Sequence, residues 1–250
     1  ERVERCVNAL RQSKHINEIY VMDNSLKTTI TPIKGAKIIR LDYSGYWNKS
    51  WVLNKGIKLS KADYIMTIDV DIILSKEHLD LINKYLDKNT VIFNKNVRRL
   101  NPEFISKNYK KMVANSYPWY DNPRSSVYHE ANGGIQVFPT EWIKSVNGYD
   151  ENAGLLWGGM DNRVFEQAIM DGMVVVDINK TMVHVDHPDK EDSLDVKDRY
   201  YGKICRELKL PYLDDLIAKK QIKNSKNWGG DIPNDGYMRK ITEEKIKKLP

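Results

Sequence analysis

The segment Tyr64-Ile-Met-Thr-Ile-Asp-Val-Asp71 decides the reading of this chain. A short, mostly apolar run stops abruptly at two carboxylates one residue apart. A run of this length, bounded by polar residues, reads as a buried strand. Residues i and i+2 of an extended chain point the same way, so Asp69 and Asp71 can converge on one hard cation. Mg²⁺ and Mn²⁺ favour oxygen ligands and commonly bridge carboxylates to substrate phosphates. Without a cation or solvent the two acids repel, and burying them is costly. A solvated turn at a strand end shows the same pattern, and Asp-x-Asp alone is common.

Helical and strand patterns alternate on either side. Val3, Cys6, Val7 and Leu10 fall at i, i+3, i+4 and i+7 and predict an amphipathic helix. Ile19–Met22 predicts a strand closed by the turn-forming Asp23-Asn24-Ser25. Lys37–Leu41 predicts a second strand, and Trp47–Leu59 a helix with Leu53 and Ile57 on one face. Leu79, Ile82 and Leu86 mark a further helix before a strand at Val91–Phe93. Such alternation implies an α/β fold, with a mostly parallel sheet flanked by helices. Sheets of this kind bind ligands at the carboxyl ends of their strands. Asp23, Asp69 and Asp71 all fall at such ends.

Residues 98–132 look irregular, a long loop holding Tyr109, Tyr117, Trp119, Tyr120 and Tyr128, and long aromatic loops are more often functional than idle. Gly133-Gly134 then precedes a strand at Ile135–Phe138 and a short helix at Glu141–Val146. Asn147-Gly148-Tyr149 reads as a turn, Asp161–Met170 as a helix, and Met173–Asp177 and Met182–Val185 as strands. The tail from Asp195 is mostly helical, broken at Pro211 and at Trp228-Gly229-Gly230.

Two further clusters carry chemistry. His184 and His187 stand close together, and neutral imidazole is a good ligand for Mn²⁺-like metals. A single surface histidine has blander explanations, and the other three of five lie elsewhere. In Trp157-Gly-Gly-Met-Asp161 two glycines let backbone approach a ligand closely. Asp161 opens a helix, where Asp is a favoured cap, and a cap facing a cleft can serve as a base.

Taken in order, these pieces resemble family 2-like glycosyltransferases of the GT-A fold. The order is a strand ending in Asp23, a helix carrying Asn54-Lys55-Gly56, and a strand ending in Asp69-Val70-Asp71. Gly133-Gly-Ile-Gln-Val-Phe138, Val146-Asn-Gly-Tyr149, Trp157-Gly-Gly-Met-Asp161, Asp171-Gly-Met173 and the histidines are similar to the galactosyltransferase C-terminal region, which bacterial chondroitin-type polymerases share. The resemblance implies a metal-dependent enzyme using a nucleoside diphosphate sugar, a UDP-sugar first, and an inverting transfer to an acceptor hydroxyl. Asp23, Asn54, Asp69, Gly133 and Gly134 would serve the donor. Asp71 would bind Mn²⁺ or Mg²⁺, with Asp69 shared between ribose and metal, and His187 a further ligand with His184 as its rival. Asp161 would be the general base, and Trp157, Gly159 and Asn162 would face the acceptor. Trp157 has core packing as its alternative.

Two departures from that pattern stand out. The acid usual before the base is Met160, and Asn162 and Arg163 follow it. The family's usual first strand, with its Pro-Thr-Tyr-like end, has no counterpart, so either a segment lies outside the numbered chain or the N-terminus is rebuilt.

Composition sets the outer bounds. Of 250 residues, 41% are hydrophobic and 30% charged, a balance that excludes a disordered chain. No apolar run approaches the roughly 20 residues that span a bilayer. The charged opening Glu1-Arg-Val-Glu-Arg5 is unlike a signal peptide, and Cys6 and Cys205 are far apart, so the expected compartment is the cytoplasm. Residues 1–190 are expected to form the catalytic domain, with a nucleotide-sugar half at 1–97 and an acceptor half at 98–190. Residues 191–250 form a basic, mostly helical extension. Lys197–Pro250 carries 14 Lys/Arg against 8 Asp/Glu, so the whole net charge of +6 resides there. That segment suits an anionic polymer acceptor or peripheral membrane contact, although acids are scattered through it. Two readings compete with the enzyme: a non-catalytic module binding polysaccharide or nucleic acid, and an Asp-x-Asp phosphotransferase with Asp69 as nucleophile. Ile73 fits the phosphotransferase pattern poorly, and no nucleic-acid motif is present.

Overall fold

Two of the helices start at a side chain that caps them. The structure, a computed structural model, describes residues 1–25, 30–114, 128–130, 133–155, 160–187 and 224–233, with 236 and 240. Asn48 caps α2 (Lys49–Leu59) by accepting from the amide of Trp51 at 3.0 Å. Ser75 caps α3 (Lys76–Lys84) by accepting from His78 N–H at 3.3 Å. α1 (Arg2–Leu10) buries Cys6, Val7 and Leu10 of the predicted stripe, and Ala9 with them, while Val3 is half-buried.

The strands form three sheets. β1 (Tyr20–Asp23) pairs in parallel with β2 (Lys37–Arg40). A second sheet orders β3 (Tyr64–Ile68), β8 (Ile135–Pro139), β5 (Thr90–Phe93) and β9 (Val174–Asp177). A third orders β4 (Ile72–Ile73), β10 (Met182–Val185), β6 (Asn96–Leu100) and β7 (Tyr128–Glu130). The α/β class with flanking helices stands. Its pairing is mixed rather than mostly parallel: three of the described pairs are parallel and four antiparallel. β8 enters between β3 and β5 against both, a pairing that needs no helical crossover.

Two of the chain's crossings between the sheets position the site. Asp69-Val70-Asp71 carries it from β3 in one sheet to β4 in the other. Asn94 and Lys95 do the same between β5 and β6. Three apolar clusters fill the layers, around Phe93, Phe138 and Tyr149, around Ile72, Leu74 and Met182, and around Leu100, Ile105 and Val183.

The region expected to be a long loop is partly regular. Asn101 accepts from Glu103 N–H at 2.8 Å, and Pro102 opens α4 (Pro102–Ala114). Ile105, Met112 and Val113 are buried on one face, each stabilising by about 1.5–3 kcal/mol before ordering entropy. Tyr109 donates to the carbonyl of Arg5 and packs α4 on α1 rather than facing a ligand. Tyr117, Trp119 and Tyr120 lie outside the described residues.

The expected halves interleave, since β10 pairs with both β4 and β6, and β9 with β5. Much of the expected basic extension, 191–223 and 241–250, lies outside the described residues. Within it, Trp228 joins the core, and Trp51 Nε1 donates to Gly230 at 2.8 Å. Among the described residues, no helix is long and apolar enough to cross a membrane. A cavity of about 950 Å³ is lined by residues of β1 and β3, with Val7, Leu53 and Leu79 also in its walls. Among the described residues, β3 pairs only with β8, and its side chains are half-buried although mostly apolar.

His78 is 1% exposed, with Nδ1 2.9 Å from Ser75 Oγ. Burial pushes its imidazole down to about 4. Folding therefore favours the neutral ring. Its stabilising contribution is full above the unfolded value near 6.5 and is lost as pH falls toward 4, a swing of about 3 kcal/mol. Urea midpoints in EDTA, compared for wild type and His78→Gln, check this. The wild type should lose more stability over that window, and parallel losses would exclude His78 as the cause.

Candidate functional site

Two backbone bonds aim the acidic turn. Asp69 N–H donates to Gly134 O at 3.2 Å, where β8 begins, and Val185 N–H donates to Asp71 O at 2.8 Å, where β10 ends. The turn is thus held by both sheets, and its side chains diverge. Asp71 is buried, while Val70 between the acids is 46% exposed.

Asp71 faces the histidines. His187 Nε2 is 3.0 Å from Asp71 Oδ2, and His184 Nε2 is 3.6 Å from Oδ1. The imidazole rings lie 5.2 Å apart at 31°. One ligand atom from each residue falls within 4.8 Å of the others. Asp71 Oδ1 is buried without a hydrogen-bond partner, which is costly for a carboxylate oxygen unless a cation fills the gap. Burial lowers the His184 pKa, Asp71 opposes that, and Arg99 and His187 reinforce it. The neutral ring that results is the form that ligates metal. Both histidines, presented above as rivals, meet the same carboxylate. The donor set fits a divalent cation of the Mn²⁺ type better than Mg²⁺, which prefers oxygens throughout.

Asp69 turns to a different partner and lies outside that cluster. Lys49, in the first turn of α2, places Nζ 2.7 Å from Asp69 Oδ1. Burial alone would lower the Lys49 pKa, but Asp69, Asp161 and Asp71 together raise it above the ordinary lysine value. A stable ammonium therefore stands among the three acids. Sequence reasoning missed Lys49, because one lysine among 40 Lys/Arg carries no signal until the fold brings it here.

Beyond the short α5 (Thr140–Ser145), Asp161 sits in the first turn of α6 (Met160–Met170), and its carbonyl accepts from Gln136 Nε2 at 3.2 Å. Gly133 lies so close that a Cβ there would collide with the Asp161 carboxylate. A Cβ on Gly134 would collide with the Met182 side chain. The Gly-Gly pair thus lets α6 and β10 approach the start of β8 closely. Met160 is 2% exposed against Ser50, so an acid at this position, just before Asp161, would have to be buried. Arg163 turns away to Asp150 at 2.8 Å, and Asn162 is exposed. Trp157 and Gly159 lie outside the described residues.

Two expected donor residues are otherwise engaged. Asn54 is fully buried; its amide donates to Tyr149 O at 2.9 Å and Glu151 Oε1 at 2.8 Å, and its oxygen accepts from Tyr149 N–H at 2.8 Å. It is a scaffold residue here, and reaching a donor would break all three bonds. Asp23 is 4% exposed and accepts from Ser25 and, at 2.6 Å, from Arg40 Nη1. Burial alone would raise its pKa, but Ser25 and Arg40 hold it below the usual carboxylate value.

Comparison with known proteins follows the same lines. The family described as glycosyl transferase family 2 matches residues 1–140. A second, described as N-terminal domain of galactosyltransferase, matches residues 119–190. No curated protein matches. Among solved structures, a Pyrobaculum calidifontis mannosyltransferase in complex with GDP-Man and Mn²⁺ is 13% identical, with a TM-score of 0.50 over 89% of this chain and 61% of its own. A mutant Drosophila β1,4-galactosyltransferase 7, in complex with manganese, UDP-Gal and xylobiose, is 16% identical, with a TM-score of 0.46 over 80% and 74%. The first family covers more than half of the chain, through β1, β3 and the acidic turn to the end of β8, so this chain belongs to glycosyl transferase family 2 and is a glycosyltransferase with the GT-A fold.

Proposed function

We propose that this enzyme moves a sugar from a nucleoside diphosphate sugar, a UDP-sugar first, to an acceptor hydroxyl with inversion. The observation that carries this reading is the meeting of Asp71, His184, His187, Lys49 and Asp161 around the end of β3. The galactosyltransferase-like match over residues 119–190 supports a hexose donor. The acceptor is a saccharide or another hydroxyl compound. Membership of an enzyme family sets aside the non-catalytic module, and the Asp69–Lys49 pair disfavours Asp69 as a phosphotransferase nucleophile.

Asp71, His184 and His187 would hold Mn²⁺. That cation, when bound, would offset charge on the departing diphosphate. Lys49 adds a fixed positive charge beside it, which Asp69 orients. Asp161 takes the proton from the acceptor hydroxyl. The acceptor oxygen then bonds to the anomeric carbon as the carbon–oxygen bond to diphosphate breaks on the opposite face. Gly133 leaves the Asp161 carboxylate room to approach.

A hydrolysis and thermal-shift screen of nucleotide sugars with Mn²⁺ and Mg²⁺ should give its largest response with a uridine donor and Mn²⁺. No response to any donor would sink the proposal. Asp161→Asn should lower transfer by 10³-fold or more while donor affinity stays within about threefold, the pattern of a lost base. Calorimetry on Asp71→Ala should show no Mn²⁺-dependent donor binding, and equal binding with EDTA would contradict the metal assignment. Lys49→Gln should lower kcat/KM by roughly 10²-fold, within the range for a lost electrostatic contact. Wild-type kinetics in this variant would leave Lys49 as a structural counter-ion only.

A further inference from the structure

Tyr149 carries a hydroxyl that its packing does not need. The residue is fully buried, and its ring meets Phe138 edge-on at 5.9 Å, a contact that phenylalanine would make equally well. A phenol at such a site must find partners, and this one finds two. Thr67 Oγ1 donates to it at 2.7 Å, and it donates to Gln136 Oε1. Thr67 and Gln136 are register partners across β3 and β8. Gln136 Nε2 then donates to the carbonyl of Asp161 at 3.2 Å. Burial, with the Asp161 charge adding to it, pushes the phenol well above its ordinary value, so the group stays a neutral donor.

A chain of hydrogen bonds therefore runs from Thr67, two residues before Asp69, through Tyr149 and Gln136, to the backbone of Asp161. We propose that the Tyr149 hydroxyl is a positioning residue that fixes the spacing between the acidic end of β3 and the base-bearing start of α6. It touches no substrate and acts through Gln136. The inference rests on the reading of Asp161 as general base and deepens it. A bond to a main-chain carbonyl moves the whole first turn of α6, so the Asp161 carboxylate shifts with it. A shift of about 1 Å at a reacting group costs on the order of 10²-fold in rate.

Tyr149→Phe, assayed well below its melting temperature, tests this. Expected results are a 10- to 100-fold loss in kcat, donor KM and Mn²⁺ affinity within twofold of wild type, and faster amide exchange over Asp161–Val164 in the metal-free protein. Thr67→Val removes the other partner and should reproduce the same split. The two changes combined should cost no more than either alone. Should Tyr149→Phe fold poorly, Thr67→Val carries the test by itself. A lowered melting temperature with unchanged kcat and unchanged α6 exchange would overturn the proposal and leave the hydroxyl a stabilising group only. Asp161→Asn, run beside it, separates the two levels. If that variant is inactive while Tyr149→Phe is unaffected, only the positioning role fails. If it keeps its turnover, the base assignment fails and the positioning role fails with it.

Discussion

The turn Asp69-Val70-Asp71 is pinned at both ends by different sheets, through Gly134 on one side and Val185 on the other. Everything else at the site depends on that double hold. A turn anchored to one sheet would let its two acids share a direction. Anchoring to two sheets gives each acid its own surroundings, with Lys49 facing Asp69 and the two histidines facing Asp71. Charge separation within three residues is thus a product of topology, not of local conformation.

That separation also resolves an electrostatic problem. Three carboxylates gathered around one lysine repel in a medium of low effective dielectric. A permanent ammonium at Asp69 relieves part of the strain, and the open oxygen of Asp71 concentrates what is left at a single point. The glycines bring Asp161 close without a side chain intervening. The arrangement therefore trades stability for local field, the usual sign of a working site.

Much of this was legible in the sequence, and the gaps have physical causes. Local periodicity marked β3 and β10 to the residue, because their apolar runs are short and sharply bounded. It missed α4, whose buried Ile105, Met112 and Val113 are spread thinly among polar residues. Motif order led to Asp71, His184, His187 and Asp161, which the fold brings together. It did not foresee that Asn54 is buried, because a motif position does not reveal whether a side chain faces a cleft or the core. The rule that residues i and i+2 share a face did not extend past the end of β3, where the strand gives way to a turn. The partners of Lys49 and Tyr149 were not legible because they are distant in sequence, at Asp69, Thr67 and Gln136.

The interleaving of the two sheets bears on how the chain acquires its shape. His187 meets Asp71 across 116 residues of sequence. Closing a loop of that size carries an entropy cost on the order of 4 kcal/mol, which only the surrounding strand pairs can offset. Both four-stranded sheets draw strands from both halves of the chain, so an N-terminal half alone lacks β8, β9 and β10 to close around its acidic turn. Asp71 and His187 therefore meet only after most of the chain is available, and contacts so distant in sequence form slowly.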